Sequence, residues 1–267
     1  MKKLLIQSDD YGFTYGVTDG TIRAIKDGVI KNTGLFVNME SSEYAAQRIK
    51  EVDVCLGIDI NLQAGHPVSD PQLVPHLVTS ENKFRSSRQI LKENVLSSID
   101  RYLYYFENDP FDYDEVLLET ENQVKRFIEL IGKKPEYING HSILTPNTEK
   151  AAKVVAEKYG IQHNCSDLYF NDFYKDLAYD GEYQPRNLEE QLELDSKDYL
   201  LKKVLPSIKD DDINYFICHC GYIDKDLFSE TSLTIQRIND VALATDKEII
   251  EYLEKNDIQL ITYRDFD

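Results

Sequence analysis

The apolar run Leu4-Leu5-Ile6 leads into Gln7-Ser8-Asp9-Asp10-Tyr11-Gly12, so two adjacent carboxylates and a turn glycine stand where a buried strand gives out. Neighbouring side chains on extended backbone point to opposite faces, and Asp9 and Asp10 therefore cannot share one direction. That suits a division of labour in which one carboxylate ligates a cation and the other takes a proton from water. A solvated Asp-Asp turn is the plainer alternative, since Asp is a common turn former. Further along, Asp59 with Asn61, then His141, then His219, each fall at or near the end of a strand-like run. A lone His in such a place is more often a hydrogen-bonded structural residue. Two His and three Asp gathered on one rim would instead make a metal or acid/base site. Paired carboxylates such as Asp9 and Asp59 could alternatively serve glycoside hydrolysis.

Residues so far apart need a scaffold that delivers strand ends to a common rim, and the chain alternates β and α from the outset. Val17, Ile22, Ile25 and Val29 have helical spacing over Val17–Ile30, with Gly28 near the end. A short strand follows at Thr33–Asn38. Ser41-Ser42-Glu43 caps a helix over Tyr44–Lys50, and Val52–Ile60 reads as a third strand that ends in Gly57-Ile58-Asp59-Ile60-Asn61-Leu62. From Gln63 to Ser87 the pattern lapses into a loop longer than ordinary connections, of a kind that often serves as a lid. Helices are predicted over Arg88–Phe106 and Tyr113–Ile131, separated by Asn108-Asp109-Pro110 and stopped by Gly132.

Tyr137–His141 is a fourth strand, Thr145 caps a helix running to Tyr159, and Ile161–Cys165 is a fifth strand. The aromatic-rich segment Asp167–Arg186 suits either stacking against a sugar or packing on its own core. Helical pattern resumes over Asn187–Leu205, with a break near Asp195-Ser196. Ile213–His219 is a sixth strand, helices span Ile235–Ala244 and Asp246–Lys255, and Ile258–Thr262 closes the series. No repeat, low-complexity tract or linker divides the chain. Residues 1–267 therefore read as one α/β domain, a TIM-barrel-like (β/α) barrel of about seven parallel strands. On such a barrel Asp9, Asp10, Asp59, Asn61, His141 and His219 all reach the face where chemistry collects.

Bulk properties narrow the function class. The 267 residues carry 30 Lys and Arg against 48 Asp and Glu, a net charge of −18, with no basic block. Nucleic acid and anionic membrane are poor partners for such a surface. The N-terminal apolar run stops too soon for a signal peptide, and no stretch approaches the roughly 18 apolar residues of a membrane span. Cys55, Cys165, Cys218 and Cys220 are too few and too irregular for a disulfide framework, so a reduced, cytoplasmic protein is expected. Cys218 and Cys220 share one strand face, as a metal pair or as inert buried thiols.

Several ordered motifs carry a resemblance along essentially the whole chain: Asp9-Asp10-Tyr11-Gly12, Gly16-Val17, Val37-Asn38, Gly57-Ile58-Asp59-Ile60-Asn61-Leu62, Gly140-His141, Cys218-His219-Cys220-Gly221-Tyr222 and Arg237. Together they resemble the YdjC-like carbohydrate deacetylase family. The resemblance implies a metal-dependent hydrolase that removes acetyl from N-acetylated amino sugars such as chitooligosaccharides. By position it implies Asp10, Asp59 and His141 as metal ligands, Asp9 as base and His219 as the acid for the leaving amine. Asn38, Asn61, Tyr222 and Arg237 are the candidate substrate contacts, a small carbohydrate is the expected partner, and a homodimer is left open.

The chain also departs from that pattern. Asp59 stands where the family has His in Gly-x-His-x-Asn-Leu. Tyr137, Asn139, His141 and Ile143 stand where it reads His-x-Asp-x-His-x-His, and Cys220 replaces the Pro after the late His. A carboxylate in place of imidazole hardens the site, favouring Mg or Mn, with Zn still allowed. Loss of imidazoles also leaves open a sugar-binding or regulatory protein that keeps the cleft without the catalysis.

Overall fold

The computed structural model describes residues 2–100, 102–163, 187–193, 196–210 and 213–265. Strand β1 (Lys2–Tyr11) is followed by helix α1 (Tyr15–Lys26), β2 (Asn32–Leu35), α2 (Ser42–Arg48) and β3 (Cys55–Ile60). Thr14 caps α1 by accepting the backbone N–H of Val17. The segment after β3 is fastened down. Glu119 accepts the backbone N–H groups of Val68 and Ser69, both at 2.9 Å, and Val74, Leu77 and Phe84 are buried. Its position is held by core packing and a buried carboxylate, which is not how a hinged lid is attached.

The long helix expected over Arg88–Phe106 is instead a short helix α3 (Ser87–Glu93) and an antiparallel hairpin, β4 (Leu96–Asp100) with β5 (Leu103–Phe106). The reason lies in the residues: Asn94 ends the helix, and the β-branched and aromatic run from Val95 to Phe106 prefers extended backbone. Helix α4 (Tyr113–Ile131) has an Asp112 cap and ends on left-handed Gly132. Strand β6 (Ile138–Gly140) and α5 (Pro146–Tyr159) follow, and then α6 (Leu188–Glu193), α7 (Ser196–Tyr199), β7 (Ile213–Cys218), α8 (Leu227–Glu230), α9 (Ile235–Ala244), α10 (Lys247–Lys255) and β8 (Ile258–Ile261). Among the described residues of the fifth strand expected at Ile161–Cys165, Gln162 forms a parallel bridge with Tyr137. Cys165 and the aromatic segment Asp167–Arg186 lie outside the described residues.

The sheet runs β6-β3-β2-β1-β7, all parallel. Strand β1 is its centre. β7 lies along one edge over Lys3–Ser8, while β8 and then β2 share the other, β8 against Lys2–Leu5 and β2 from Gln7 onward. Asn32 joins these two partners, donating to the carbonyls of Ile6 and Ile261 and accepting from the N–H of Tyr263.

Alternation along the strands gives each face its own core. Leu4, Ile6, Leu56, Ile58 and Ile138 pack outward with helix residues such as Ile22, Val124, Val155 and Val241. Leu5, Cys55, Tyr137, Tyr215, Ile261 and Tyr263 fill the concave side. There Tyr137 stacks on Tyr263 at 4.0 Å between centroids and the hydroxyls of Tyr215 and Tyr263 meet at 3.2 Å, so the sheet curls until its far strands share one filling. This is a curled α/β sheet of six parallel strands among the described residues, and closure into a seven-strand barrel is not seen in them. No helix of the described residues is long and apolar enough to cross a membrane.

Candidate active site

Above the tyrosine layer, the concave face turns polar in steps. Gln7 accepts from the hydroxyls of Tyr215, at 3.0 Å, and Tyr263, at 2.7 Å, and its amide donates to Oδ1 of Asp9. The other Asp9 oxygen lies 3.4 Å from the Asn139 amide, which also donates to Oδ1 of Asp59 at 3.3 Å. Asp9, Asn139 and Asp59 are thus neighbouring inward positions on β1, β6 and β3. Burial and the adjacent Asp10 raise the Asp9 carboxyl to about 7. Burial, with Asp9 beside it, pushes Asp59 well above the usual carboxylate range.

Asp10 escapes the alternation. The β1–β2 register steps from Ser8 opposite Thr33 to Tyr11 opposite Leu35, three residues against two, and Asp10 takes φ 67° in the left-handed region. This is a β-bulge, a device that re-aims a side chain. Instead of pointing toward the helices, the Asp10 carboxylate enters the site, with Oδ1 2.8 Å from Nδ1 of His141 and Oδ2 2.6 Å from Nη2 of Arg237. Burial alone would raise its carboxyl, but the imidazole and the guanidinium hold it well below the usual range. Its Oδ1 is buried and receives no aligned hydrogen bond, despite the nearness of the His141 nitrogen.

His141 follows β6, its N–H bonded to the Ile60 carbonyl, its own carbonyl held by Gln63 and its ring set edge-on to Phe36 at 4.9 Å. His219 follows β7, its backbone N–H donating to Asp240 at 2.8 Å. Burial lowers the His219 imidazole to about 4, and Asp10 opposes the shift while Arg237 and His141 add to it. The loop beyond is fastened across helix α1: Cys220 N–H donates to Ser8 Oγ, Thr21 Oγ1 to the Cys220 carbonyl, and Tyr222 N–H to the Gly16 carbonyl. A Cβ at Gly20 would lie 2.5 Å from the Tyr222 nitrogen, so a glycine is needed for this close approach. Cys218 and Cys220 are buried free thiols with sulfurs 3.7 Å apart.

The structure brings Asp9, Asp10, Asp59, His141 and His219 together on the concave face. One Asp59 oxygen accepts the Asp10 backbone N–H at 2.9 Å and the other accepts from Asn139. The described residues contain no group of three His, Cys, Asp or Glu arranged to hold a metal ion. Arg237 is 1 % exposed, donating to Asp10 and to the Leu233 carbonyl, and its Nη1 is buried without a hydrogen-bond partner. Asn61 is fully buried. Its Oδ1 accepts from the N–H groups of Gln63 and Ala64, and its amide donates to Asn38, whose own amide holds the Ala64 and His66 carbonyls. Both asparagines build the loop after β3. Tyr222, 41 % exposed, remains free to meet a ligand.

Sequence pattern does not mark Gln7, Asp240, Tyr215 or Tyr263 as site residues, and it marks Tyr137 and Asn139 only as departures from the family motif. Gln7 carries a signal nonetheless, an amide directly after the apolar run Leu4-Leu5-Ile6. Asp240, raised to about 7 by burial, has none, because it lies on a helix that reads as simply amphipathic.

A family model described as YdjC-like protein matches residues 3–255. A carbohydrate deacetylase of Clostridium beijerinckii is 26% identical, covering 98% of this chain and 99% of its own. Another carbohydrate deacetylase, from Geobacillus stearothermophilus, is 27% identical, covering 98% and 97%. A crystal structure from Enterococcus faecalis, provisionally assigned to cellobiose-phosphate cleavage, superposes with a TM-score of 0.73 at 23% identity over 98% of each chain, which shows a shared fold.

Proposed function

The chain belongs to the YdjC-like family, and from that premise we propose that it is a carbohydrate deacetylase that hydrolyses the acetamide of a small N-acetylated amino sugar. The observation that carries this reading is the side-by-side placement of two differently tuned carboxylates at one strand end. Asp10 is kept ionised by His141 and Arg237, while Asp9 is poised near neutrality. Asp9 is also the more accessible, 9 % exposed against 1 % for Asp10 and 1 % for Asp59. In its ionised form it takes a proton from the attacking water. His219 starts neutral, with the Asp10 carboxylate favouring its charged form; it accepts the proton that Asp9 has taken from water and delivers it to the amine nitrogen as the C–N bond breaks, so acetate and the free amino sugar leave.

The donor chemistry fits a divalent cation at two points, the buried Asp10 Oδ1 that lacks an aligned hydrogen bond and the His141 Nδ1 beside it. Bound there, a cation supplies Lewis acidity toward the acyl oxygen. One carboxylate and one imidazole suit Mg, Mn or Zn. Glycoside hydrolysis by Asp9 and Asp59 is not favoured, because the Asn139 amide sits against both carboxyls where a glycosidic bond and water would have to fit.

The test is acetate release from N-acetylglucosamine oligomers of increasing length, with Mg, Mn and Zn titrated into chelator-treated protein. Metal-dependent release is expected. Glycan binding without acetate release under every cation would leave a sugar-binding protein instead.

A further inference from the structure

We propose that Asp59 is a positioning residue whose carboxylate clamps the β1 bulge and so aims Asp10 into the site. The inference rests on the deacetylase reading only in taking Asp10 as a ligand. The bulge removes the Asp10 N–H from the β1–β2 ladder, since the paired positions are Ser8 with Thr33 and Tyr11 with Leu35. A buried N–H left without a partner is costly, and a non-glycine residue in the left-handed region needs its surroundings to hold it there. Asp59 Oδ2 meets that N–H at 2.9 Å, from a strand two places away in the sheet. It can do so because the strand between them carries Gly34. A Cβ there would lie 1.8 Å from Asp59 Oδ1, so the absence of a side chain on β2 makes the passage through which the carboxylate reaches β1.

The other end of the clamp is held too. Oδ1 of Asp59 accepts from Asn139, whose amide also lies against Asp9, so one contact network sets both carboxylates of the pair. The direction of Asp10 follows from this. If the N–H rotated back into a regular ladder, the side chain would swing to the opposite face and leave His141 and Arg237. Asp59 thus acts through Asp10, each of its oxygens accepting one hydrogen bond of the clamp.

The test compares Asp59→Asn with Asp59→Ala and Asp10→Asn in chelator-treated protein. Each is read by calorimetric titration with Mn²⁺ alone and by hydrogen exchange of the Asp10 amide, with thermal melts to confirm folding. Asn keeps an acceptor for the Asp10 N–H, so Asp59→Asn should hold Mn²⁺ affinity within about threefold and keep the amide slow. Asp59→Ala should lose roughly 10–100-fold in affinity, the usual effect of removing a group that orients a ligand, and speed exchange at least about tenfold. The proposal is overturned if Asp59→Asn loses as much affinity as Asp10→Asn, as a direct ligand would. It is equally overturned if Asp59→Ala leaves the Asp10 amide slow. Should wild type bind no Mn²⁺, the metal reading above falls, and the exchange rates alone decide the clamp.

Discussion

Arg237 and Asp10, separated by 227 residues, form an ion pair at 2.6 Å in which each side chain is 1 % exposed. A buried carboxylate depends on such a partner, because the interior replaces none of the water it has lost. The guanidinium is itself set by the Leu233 carbonyl and lies 5.4 Å from the Phe13 ring centroid. Arg237 is therefore the permanent counter-charge of Asp10, and a metal at Oδ1 would be a second one.

Arg237→Gln should remove one of the two groups that stabilise the Asp10 charge, leaving only His141 beside it. Breaking a buried pair from one side costs about 3–5 kcal/mol, so the metal-free variant is expected to melt well below wild type. Saturating Mn²⁺ should narrow the gap, since a cation would supply the missing charge. Melting curves of both proteins with and without metal decide the point, and an unchanged gap would mean that Mn²⁺ does not reach Asp10.

Asp9 gives a pH prediction for the chelator-treated protein. Its folded carboxyl titrates at about 7, above the roughly 3.9 of an unfolded chain. Between those values the folded state binds more protons than the unfolded state, so stability falls as pH rises from about 4 through about 7. The slope approaches on the order of 1.4 kcal/mol per pH unit. Asp9→Asn, a neutral isostere, removes this loss and should melt higher than wild type at pH 8, with the difference shrinking by pH 5. It should also abolish turnover while binding Mn²⁺ nearly as wild type does. Melts at the two pH values and a metal titration check both halves.

Much of this site is legible in the amino-acid sequence. The apolar run into Asp9-Asp10 and the runs into Asp59, His141 and His219 are short-range patterns, and a parallel sheet sends all of them to one edge. What is not legible depends on contacts between distant residues. Nothing near Asp10 announces the bulge, which rests on an acceptor 49 positions away. Arg237 sits on a helix whose pattern does not show that its charge points inward. The Val95–Phe106 hairpin is hidden for another reason. Its apolar residues also satisfy a helical template, and β-branched and aromatic content is the discriminating signal.

His219 can be tested by the demands of the leaving group. An amine leaves poorly without a proton, whereas an aryl alcohol leaves readily. His219→Ala should slow deacetylation of an N-acetylated sugar by about 10²–10⁴-fold and an aryl acetate by less than about tenfold. Parallel kinetics on the two substrates provide the measurement. Equal losses would remove His219 from proton donation and leave it a structural imidazole.

Gly34 supplies the last prediction, through its contact with Asp59. A methyl group at position 34 would fall 1.8 Å from the Asp59 carboxylate, so Gly34→Ala must displace that side chain or part strands β1 and β2. Overpacking of this kind costs about 1–3 kcal/mol. If the carboxylate is the obstacle, shortening it should relieve the strain. Gly34→Ala combined with Asp59→Ala is therefore expected to be more stable than the sum of the single changes allows, with a coupling of about 0.5–3 kcal/mol. Denaturant melts of the four proteins in this cycle measure it. Strict additivity would show that the Cβ is accommodated elsewhere, and that Gly34 is not what lets Asp59 reach across β2 to the Asp10 N–H.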